Sequence, residues 1–461
     1  MRVVLTDDPT DLGRRSVSAH QDCACDCQCA CPTDGAPTPV LSLPVAYYLE
    51  LTPLCNNRCP GCGNVYASGR MARLDWGQMR GQCSQSPASS LDGSEWRDLI
   101  ARLASHARQF KLTGGEPTLH PAFDEIVHAV DDEDVPFTLF TNGRWFRPDA
   151  LVQLLRSLTT CEGLLISLHG PDAAVHETFS GVVGSFDQTV SNIRRAADAG
   201  LDVATSLVIT RSNWNRVAET LDLALSLGAN HVVCNRFIGA PVAGVTPSET
   251  QLRAAIAAIE SLRAAGRPIR FGNCIPQCFE ASSSRGCTAG GTFATVDPWG
   301  RMRPCNHAPL VAGDLRAQPV EDVWQGRVMA HWRSLVPVAC GTCTAFATCH
   351  GGCRAQALLS GHVQDPLIRA PLVGAWSSSG IELRLYAGLR PAGRFVRRSE
   401  GGVDVLLHRS LVVPVPAGYE RWVSNLDGSL TLRQIERQYG SAAVDWIGVL
   451  HHERMVTWVS G

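Results

Sequence analysis

At 461 residues, with 45% apolar and 18% charged side chains, the chain has the composition of a soluble globular protein of two or three domains. A formal net charge of −2 leaves no electrostatic footprint for nucleic acid, and no apolar run approaches the length of a membrane span. Nineteen cysteines, with no signal-peptide core in residues 1–8, argue for metal or sulfur chemistry in the reducing cytoplasm rather than a disulfide framework.

Residues 1–44 read as a disordered leader rich in Asp, Pro, Thr and Ser, with Cys23, Cys25, Cys27, Cys29 and Cys31 in strict alternation. Those thiols are either a metal-catching arm or groups presented for modification, and a tail that binds metal opportunistically is the plainer account. Apolar strands are expected at 47–51, 110–113, 136–141, 164–168, 203–209 and 231–237, with amphipathic helices at 95–107, 121–130, 148–158, 186–199 and 215–227. Strand followed by helix, repeated, predicts parallel βα units whose right-handed crossovers curl the sheet into a barrel or part of one. In such folds reactive groups gather where strands end.

The residues obey that rule. Cys55-x3-Cys59-x2-Cys62 follows the first expected strand, and Gly114-Gly115-Glu116-Pro117 follows the second. Asn142 follows the third, Ser167 lies at the end of the fourth, and Arg236 at the end of the sixth. Three thiolates leave one metal position without a protein ligand, whereas four would close a zinc site or saturate a cluster. A zinc knuckle with a distant fourth ligand is the structural alternative. Beyond the barrel stand Cys287, Gly300 and Cys305, then Cys340-x2-Cys343-x5-Cys349-x3-Cys353. Cys83, Cys161 and Cys234 lack partner spacing and read as packing residues. After a linker at 377–380, strand-like runs and three short helical patterns over 376–461 describe a small winged-helix-like module.

The cysteine loop followed by Gly-Gly-Glu-Pro resembles the radical S-adenosylmethionine (SAM) superfamily, and the second cysteine block resembles its SPASM extension. The resemblance implies an α/β fold. A partial (β/α)6 TIM-like barrel would span 45–245, a SPASM domain with one or two auxiliary clusters 246–370, and the winged-helix-like domain 376–461. It implies a [4Fe–4S] cluster on Cys55, Cys59 and Cys62 whose open iron takes SAM. Gly114, Gly115 and Glu116 would hold the SAM amino end, Ser167 and Asn142 would lie near its ribose or methionyl group, and Arg236 is assigned to the same cofactor. Gly61 departs from the family, which usually has an adenine-packing aromatic there. Cys287, Cys305 and Cys353 would share one auxiliary cluster with Cys278 or Cys274, Cys278 being the residue assigned. Cys340, Cys343 and Cys349 would hold the other.

The family's last cysteine, expected after Asp365-Pro366, is missing. The fourth position of that second cluster is an open iron, Asp365, His350 or His362, with Asp365 preferred. The stretch 426–432 is similar to PqqD-like peptide-recognition modules, which pair a leader peptide with a sheet edge. The implied activity is hydrogen abstraction from a precursor peptide by a 5′-deoxyadenosyl radical, forming a thioether, a carbon–carbon crosslink or an epimer. A flavodoxin or ferredoxin would serve as reductant, with no nucleic-acid or membrane partner. A formylglycine-generating sulfatase maturase is the rival within the class, and a non-catalytic electron carrier the rival outside it.

Overall fold

The computed structural model describes residues 2–8, 12–17, 40–66, 90–281, 286–372 and 381–459. The alternating cysteines at 23–31, Cys83 and the 377–380 linker lie outside them. Two compact units divide the chain: residues 42–341 with 349–370, and residues 1–41 with 342–348 and 371–461.

Strands β1 (Arg2–Thr6) and β2 (Leu12–Val17) belong to the second of these units. The larger unit is built on β3 (Ala46–Glu50), β4 (Gln109–Thr113), β5 (Phe137–Thr141), β6 (Cys161–Ser167), β7 (Val203–Ile209) and β8 (His231–Arg236). Each pairs in parallel with the next, Tyr48 beside Lys111, Lys111 beside Thr138, Ser167 beside Ser206 and Ile209 beside Arg236. Helices α1 (Gly93–Ala104), α2 (Phe123–Asp132), α3 (Pro148–Ser157), α4 (Ala173–Ser180), α5 (Ser185–Asp198) and α6 (Val217–Ser226) make the returns. Parallel strands in chain order with helical returns form a partial (β/α) barrel wall.

The pleat separates two faces. Tyr47, Leu49, Phe110, Leu112, Leu139 and Ile166 are buried in one core with Trp96, Leu99, Ile126, Leu155 and Ile193 of the helices. Each large side chain so buried stabilises the wall by about 1.5–3 kcal/mol. On the other face Tyr48, Lys111, Thr138, Phe140, Ser167, Ser206 and Asn235 are half-buried and line the lumen. The sheet continues beyond the six expected strands. After α7 (Glu249–Ala264), started by a Ser248–Gln251 capping box, β9 (Ile269–Phe271) pairs in parallel with β8. On the opposite edge β10 (Phe293–Val296) pairs in parallel with β3, followed antiparallel by β11 (Arg301–Arg303) and β12 (Gly313–Asp314). The expected boundary at 245/246 therefore falls inside one ten-stranded sheet.

In the smaller unit β13 (Ile381–Tyr386) is the central strand, with β1 parallel on one side and β2 antiparallel on the other. Over residues 2–6 and 12–17 this corrects the expectation of a disordered leader across 1–44, whose residues 18–39 lie outside the described ones. Val3 and Leu5 pack on the core of this unit, and Val3 N–H donates to Asp445 Oδ1 at 2.6 Å. β14 (Arg390–Gly393) pairs with β18 (Val456–Val459), while β15 (Val396–Glu400), β16 (Val403–His408) and β17 (Leu411–Pro414) form a separate antiparallel sheet. Helices Leu432–Tyr439 and Ser441–His452 bury Leu432, Ile435, Val444, Trp446, Ile447 and Leu450 against Trp422, whose ring stacks on Tyr439.

Candidate metal and cofactor centres

β3 ends at Glu50, and the chain runs through Leu51 and Thr52 into the cysteine loop. Gly115 N–H bonds to Thr52 O and Glu116 N–H to Leu54 O, each at 2.7 Å. Two glycines permit that approach. A Cβ at Gly115 would stand 2.1 Å from Leu54 O, and one at Gly114, whose φ is +144°, 2.7 Å from Thr52 O. The glycine pair thus fastens the second rim loop to the backbone that carries the thiols.

Cys55, Cys59 and Cys62 are unbridged. Burial, then the neighbouring charges of Cys62 and Cys55, hold the Cys59 thiol far above its ordinary range. Burial also raises Cys55, against an opposing hydrogen bond from Asn57. Such thiols ionise together only with cations among them, the condition an iron centre supplies. Asn57 N–H points at Cys55 Sγ (3.4 Å), a donor of the kind cluster sulfurs take. At Gly61 an added Cβ would lie 2.5 Å from the Phe237 ring and 3.2 Å from that of Phe179. The volume of the missing aromatic is therefore filled from the ends of β8 and α4.

Asn142 serves the loop rather than an open site. Its Nδ2 donates to Asn56 Oδ1 (2.6 Å) and approaches Cys55 Sγ (3.8 Å), and its Oδ1 accepts Arg144 N–H (2.8 Å). Arg144, which no motif marked, donates through Nη1 to Asn56 O (2.5 Å) and Asn57 Oδ1 (2.8 Å).

Glu116 is fully buried. Oε1 accepts from Thr118 Oγ1 (2.7 Å) and Thr141 Oγ1 (2.8 Å), and Oε2 accepts from Asn142 N–H (2.7 Å). Burial raises its carboxyl above the usual range, and these donors offset part of that. No cation pairs with it among the described residues. The second acceptor position of Oε2 suits an ammonium group, which would relieve the buried charge. Ser167 is half-buried at the end of β6, on the lumen face. Lys111, the only lysine in the chain, donates to Tyr48 OH (3.1 Å) and lies over the Tyr48 ring. At the rim Glu50 pairs with the fully buried Arg303, and burial lifts its carboxyl to about 7 against the opposing pull of that guanidinium.

Past β6, the His169 ring lies 4.4 Å from that of Phe179, and His169 N–H donates to His176 Nδ1 (3.2 Å). Burial holds His169 down to about 3 and His176 to about 4.

A second group of thiols lies together. Cys274 is perturbed most by its neighbours Cys287 and Cys353, and Cys305 feels the charge of these last two. All four lie in apolar surroundings that include Ile238, Ala308 and Trp332. Gln356 N–H caps Cys353 Sγ at 3.4 Å. Cys274, not the assigned Cys278, is thus the fourth member, a choice that loop spacing leaves open.

Two further assignments are corrected here. Asp365 accepts from Arg236 Nη1 (3.0 Å) and Nη2, from Cys353 N–H (2.8 Å) and from Leu367 N–H (3.0 Å). All four acceptor positions of its carboxylate are filled, so none is free for iron. Arg236 is spent on that pair, and the pleat points it to the face opposite the lumen-lining Asn235. Its charge sits beside Cys274 and Cys353 rather than at the SAM loop. Cys340 and Cys349 are buried, and Gln277 N–H lies 3.5 Å from Cys349 Sγ. Cys234 is buried in the barrel core and Cys161 packs against it.

Residues 49–224 match the radical SAM superfamily, and residues 287–353 match SPASM, an iron–sulfur cluster-binding domain. Residues 49–224 are a radical SAM domain. The three-thiol loop and four-thiol group fit the [4Fe–4S] clusters and SAM that these two domains carry. The radical SAM match includes the Cys55 loop and Glu116, the SPASM match runs from Cys287 to Cys353, and Cys274 and Cys278 lie outside both. An AdoMet-dependent heme synthase of Methanosarcina barkeri is 26% identical over 339 residues, covering 67% of this chain and 90% of that protein. A PqqA peptide cyclase of Ruegeria pomeroyi is 26% identical over 359 residues, covering 74% and 90%. Among solved structures, Streptococcus suis SuiB bound to its precursor peptide SuiA superposes with a TM-score of 0.57 at 14% identity, covering 71% of this chain and 76% of that one. Over that part of the chain the fold is therefore shared with SuiB.

No helix among the described residues is long and apolar enough to cross a membrane.

Proposed function

We propose that this radical SAM protein is an enzyme that modifies a ribosomally made peptide by removing hydrogen from carbon, leaving a thioether, a crosslink or an epimerised centre. One observation carries the reading: the three-thiol loop and the buried Glu116, which no cation pairs among the described residues, stand on the rim of a lumen lined by polar and aromatic side chains. A cluster that shares its open iron with SAM supplies, when bound, one electron and a carbon-centred radical that takes hydrogen from carbon. The chain's own residues do the rest. Glu116, with the Gly114–Gly115 backbone, receives the amino end of SAM, and Ser167 faces its sugar or methionyl part. Asn142 and Arg144 hold the thiol loop in one geometry. Lys111 and Tyr48 offer a cation and a hydroxyl in the lumen for the carbonyl or carboxylate groups of a peptide. The buried wall of Phe179, Phe237 and Val245 beside Cys59 keeps water from that side of the loop.

The PqqA peptide cyclases and the peptide-bound SuiB structure support a peptide as substrate. The smaller unit, with its three-stranded β15–β16–β17 sheet, serves as a PqqD-like module that adds a leader peptide as a further strand. A flavodoxin or ferredoxin supplies the electron, in the cytoplasm, where thiols stay reduced.

Reduced, reconstituted protein given SAM is expected to release 5′-deoxyadenosine, and Cys59→Ala to release none. A peptide substrate is expected to lose the mass of two hydrogens or to change configuration at one residue. Turnover of a tetrapyrrole in place of any peptide would replace this reading with the one the heme synthase relatives suggest.

A further inference from the structure

We propose that Lys111 and the hydroxyls beside it form a subsite for a carboxylate of the substrate, which makes the enzyme selective for a peptide that brings an acidic side chain or a chain end into the lumen. The inference rests on the peptide-modifying reading and names what that peptide must present.

The chain has 41 lysines and arginines, and Lys111 is its only lysine. It stands in the middle of β4, half-buried on the lumen face. Its Nζ donates to Tyr48 OH at 3.1 Å and lies 4.7 Å from the centre of the Tyr48 ring. No carboxylate pairs with it among the described residues. Glu50 pairs with Arg303, Glu116 is held by Thr118, Thr141 and Asn142, and Glu162 accepts from Gln109 Nε2 at 2.9 Å. A half-buried cation with no counter-charge is costly. An ammonium also has three donors, of which Tyr48 takes one.

The surroundings are fixed in advance. The Tyr48 ring packs edge-on against Phe140 (centroids 5.9 Å apart) and tilts against Phe293 (5.4 Å), which holds its hydroxyl and the ammonium above it in place. Strand register sets Thr138 beside Lys111 and Thr295 beside Tyr48, all on one face. Thr295 is fully buried, and its hydroxyl has no hydrogen-bond partner among the described residues. That face therefore holds an unpaired cation and an unpaired hydroxyl on either side of one tyrosine.

Charge decides the class of ligand. A peptide carbonyl brings only a dipole, whereas a carboxylate brings the missing charge and four acceptor positions. The carboxylate of SAM is a different group. It shares a carbon with the amino group that Glu116 receives, and Lys111 lies about 10 Å down the strand from Gly114.

The test uses the full chain, reconstituted without oxygen and loaded with SAM. Acetic anhydride labels the protein, and mass spectrometry follows acetylation of its one lysine. The probes are N-acetylglutamate α-amide, N-acetylalanine and N-acetylglutamine α-amide: a side-chain carboxylate, a chain-end carboxylate and a neutral control. Labelling of Lys111 should slow several-fold with a carboxylate and stay unchanged with the neutral amide. Protection by the first probe assigns an acidic side chain, and protection by the second a chain end. Equal labelling with all three would overturn the proposal, as would protection by SAM that no carboxylate deepens. In equilibrium dialysis against the protecting probe, Lys111→Met should bind about ten- to hundredfold more weakly. Lys111→Arg, which keeps the charge, should retain more of the affinity, with iron content and SAM affinity at the parent's level in both variants. A Met variant that binds like the parent would overturn the subsite. Protection is read without turnover, so a protein that binds the carboxylate yet modifies no peptide would overturn the proposed activity alone. One that modifies neutral and acidic peptides alike would overturn the subsite alone.

Discussion

Glu116 shows how a single side chain states what it is waiting for. It is buried and held by donors from Thr118, Thr141 and Asn142, with no cation beside it among the described residues. Glu116→Gln keeps the shape and removes the charge. A charge-assisted hydrogen bond contributes about 1.5–3 kcal/mol, so SAM affinity should fall about ten- to hundredfold while iron content is unchanged; equilibrium dialysis and iron analysis would show both. Residues at this site were legible where their signal is local: the thiol spacing and the Gly-Gly-Glu-Pro run each lie within eight residues. Asp365 was misassigned because its partner, Arg236, is 129 positions away, and an Asp beside a gap in a cysteine pattern looks like a ligand until that guanidinium is placed. The choice between Cys274 and Cys278 fails the same way, since two thiols four positions apart in a loop differ only in which neighbours the fold gives them.

At the scale of elements, α4 and the end of β6 press two uncharged imidazoles together. His169 and His176 are held to about 3 and about 4 by burial, against an ordinary value of 6.5. As pH falls below about 6.5 the unfolded chain takes up these protons first. Stability is therefore fully present at neutral pH and is lost from about 6.5 down to about 4 for His176 and about 3 for His169, at up to about 1.4 kcal/mol per pH unit for each histidine. Urea unfolding at about pH 7 and about pH 5 should show this loss, and a His169→Asn/His176→Asn protein should show a shallower one. An equal slope in both proteins would place the acid sensitivity elsewhere. The elements themselves were readable because period-2 apolar strands alternate with amphipathic helices. β9 to β12 were not. They are two to four residues long, too short to carry a period, and exist because a neighbouring edge completes their hydrogen bonds.

At the scale of the molecule, the chain's first strands are structural parts of its last unit. Nothing in residues 2–17 advertises this, since a strand edge is recognised only by its partner, and that partner is β13. Removing residues 2–17 should lower amide protection across β13 by about tenfold or more and lower the unfolding midpoint of the smaller unit, while SAM binding at the Cys55 loop persists. Unchanged exchange at Leu383 and Leu385 would show that β13 stands without them.

That pairing also sets a clock. Val3 meets Leu383, so its partner is made roughly 380 residues later, a delay of about 20 to 80 seconds at ordinary rates of protein synthesis. Throughout that interval two strands with open edges leave the ribosome unpaired, while the barrel behind them is completed. A slow, late closing step and a need for chaperone cover at the N-terminal edge follow from one strand register.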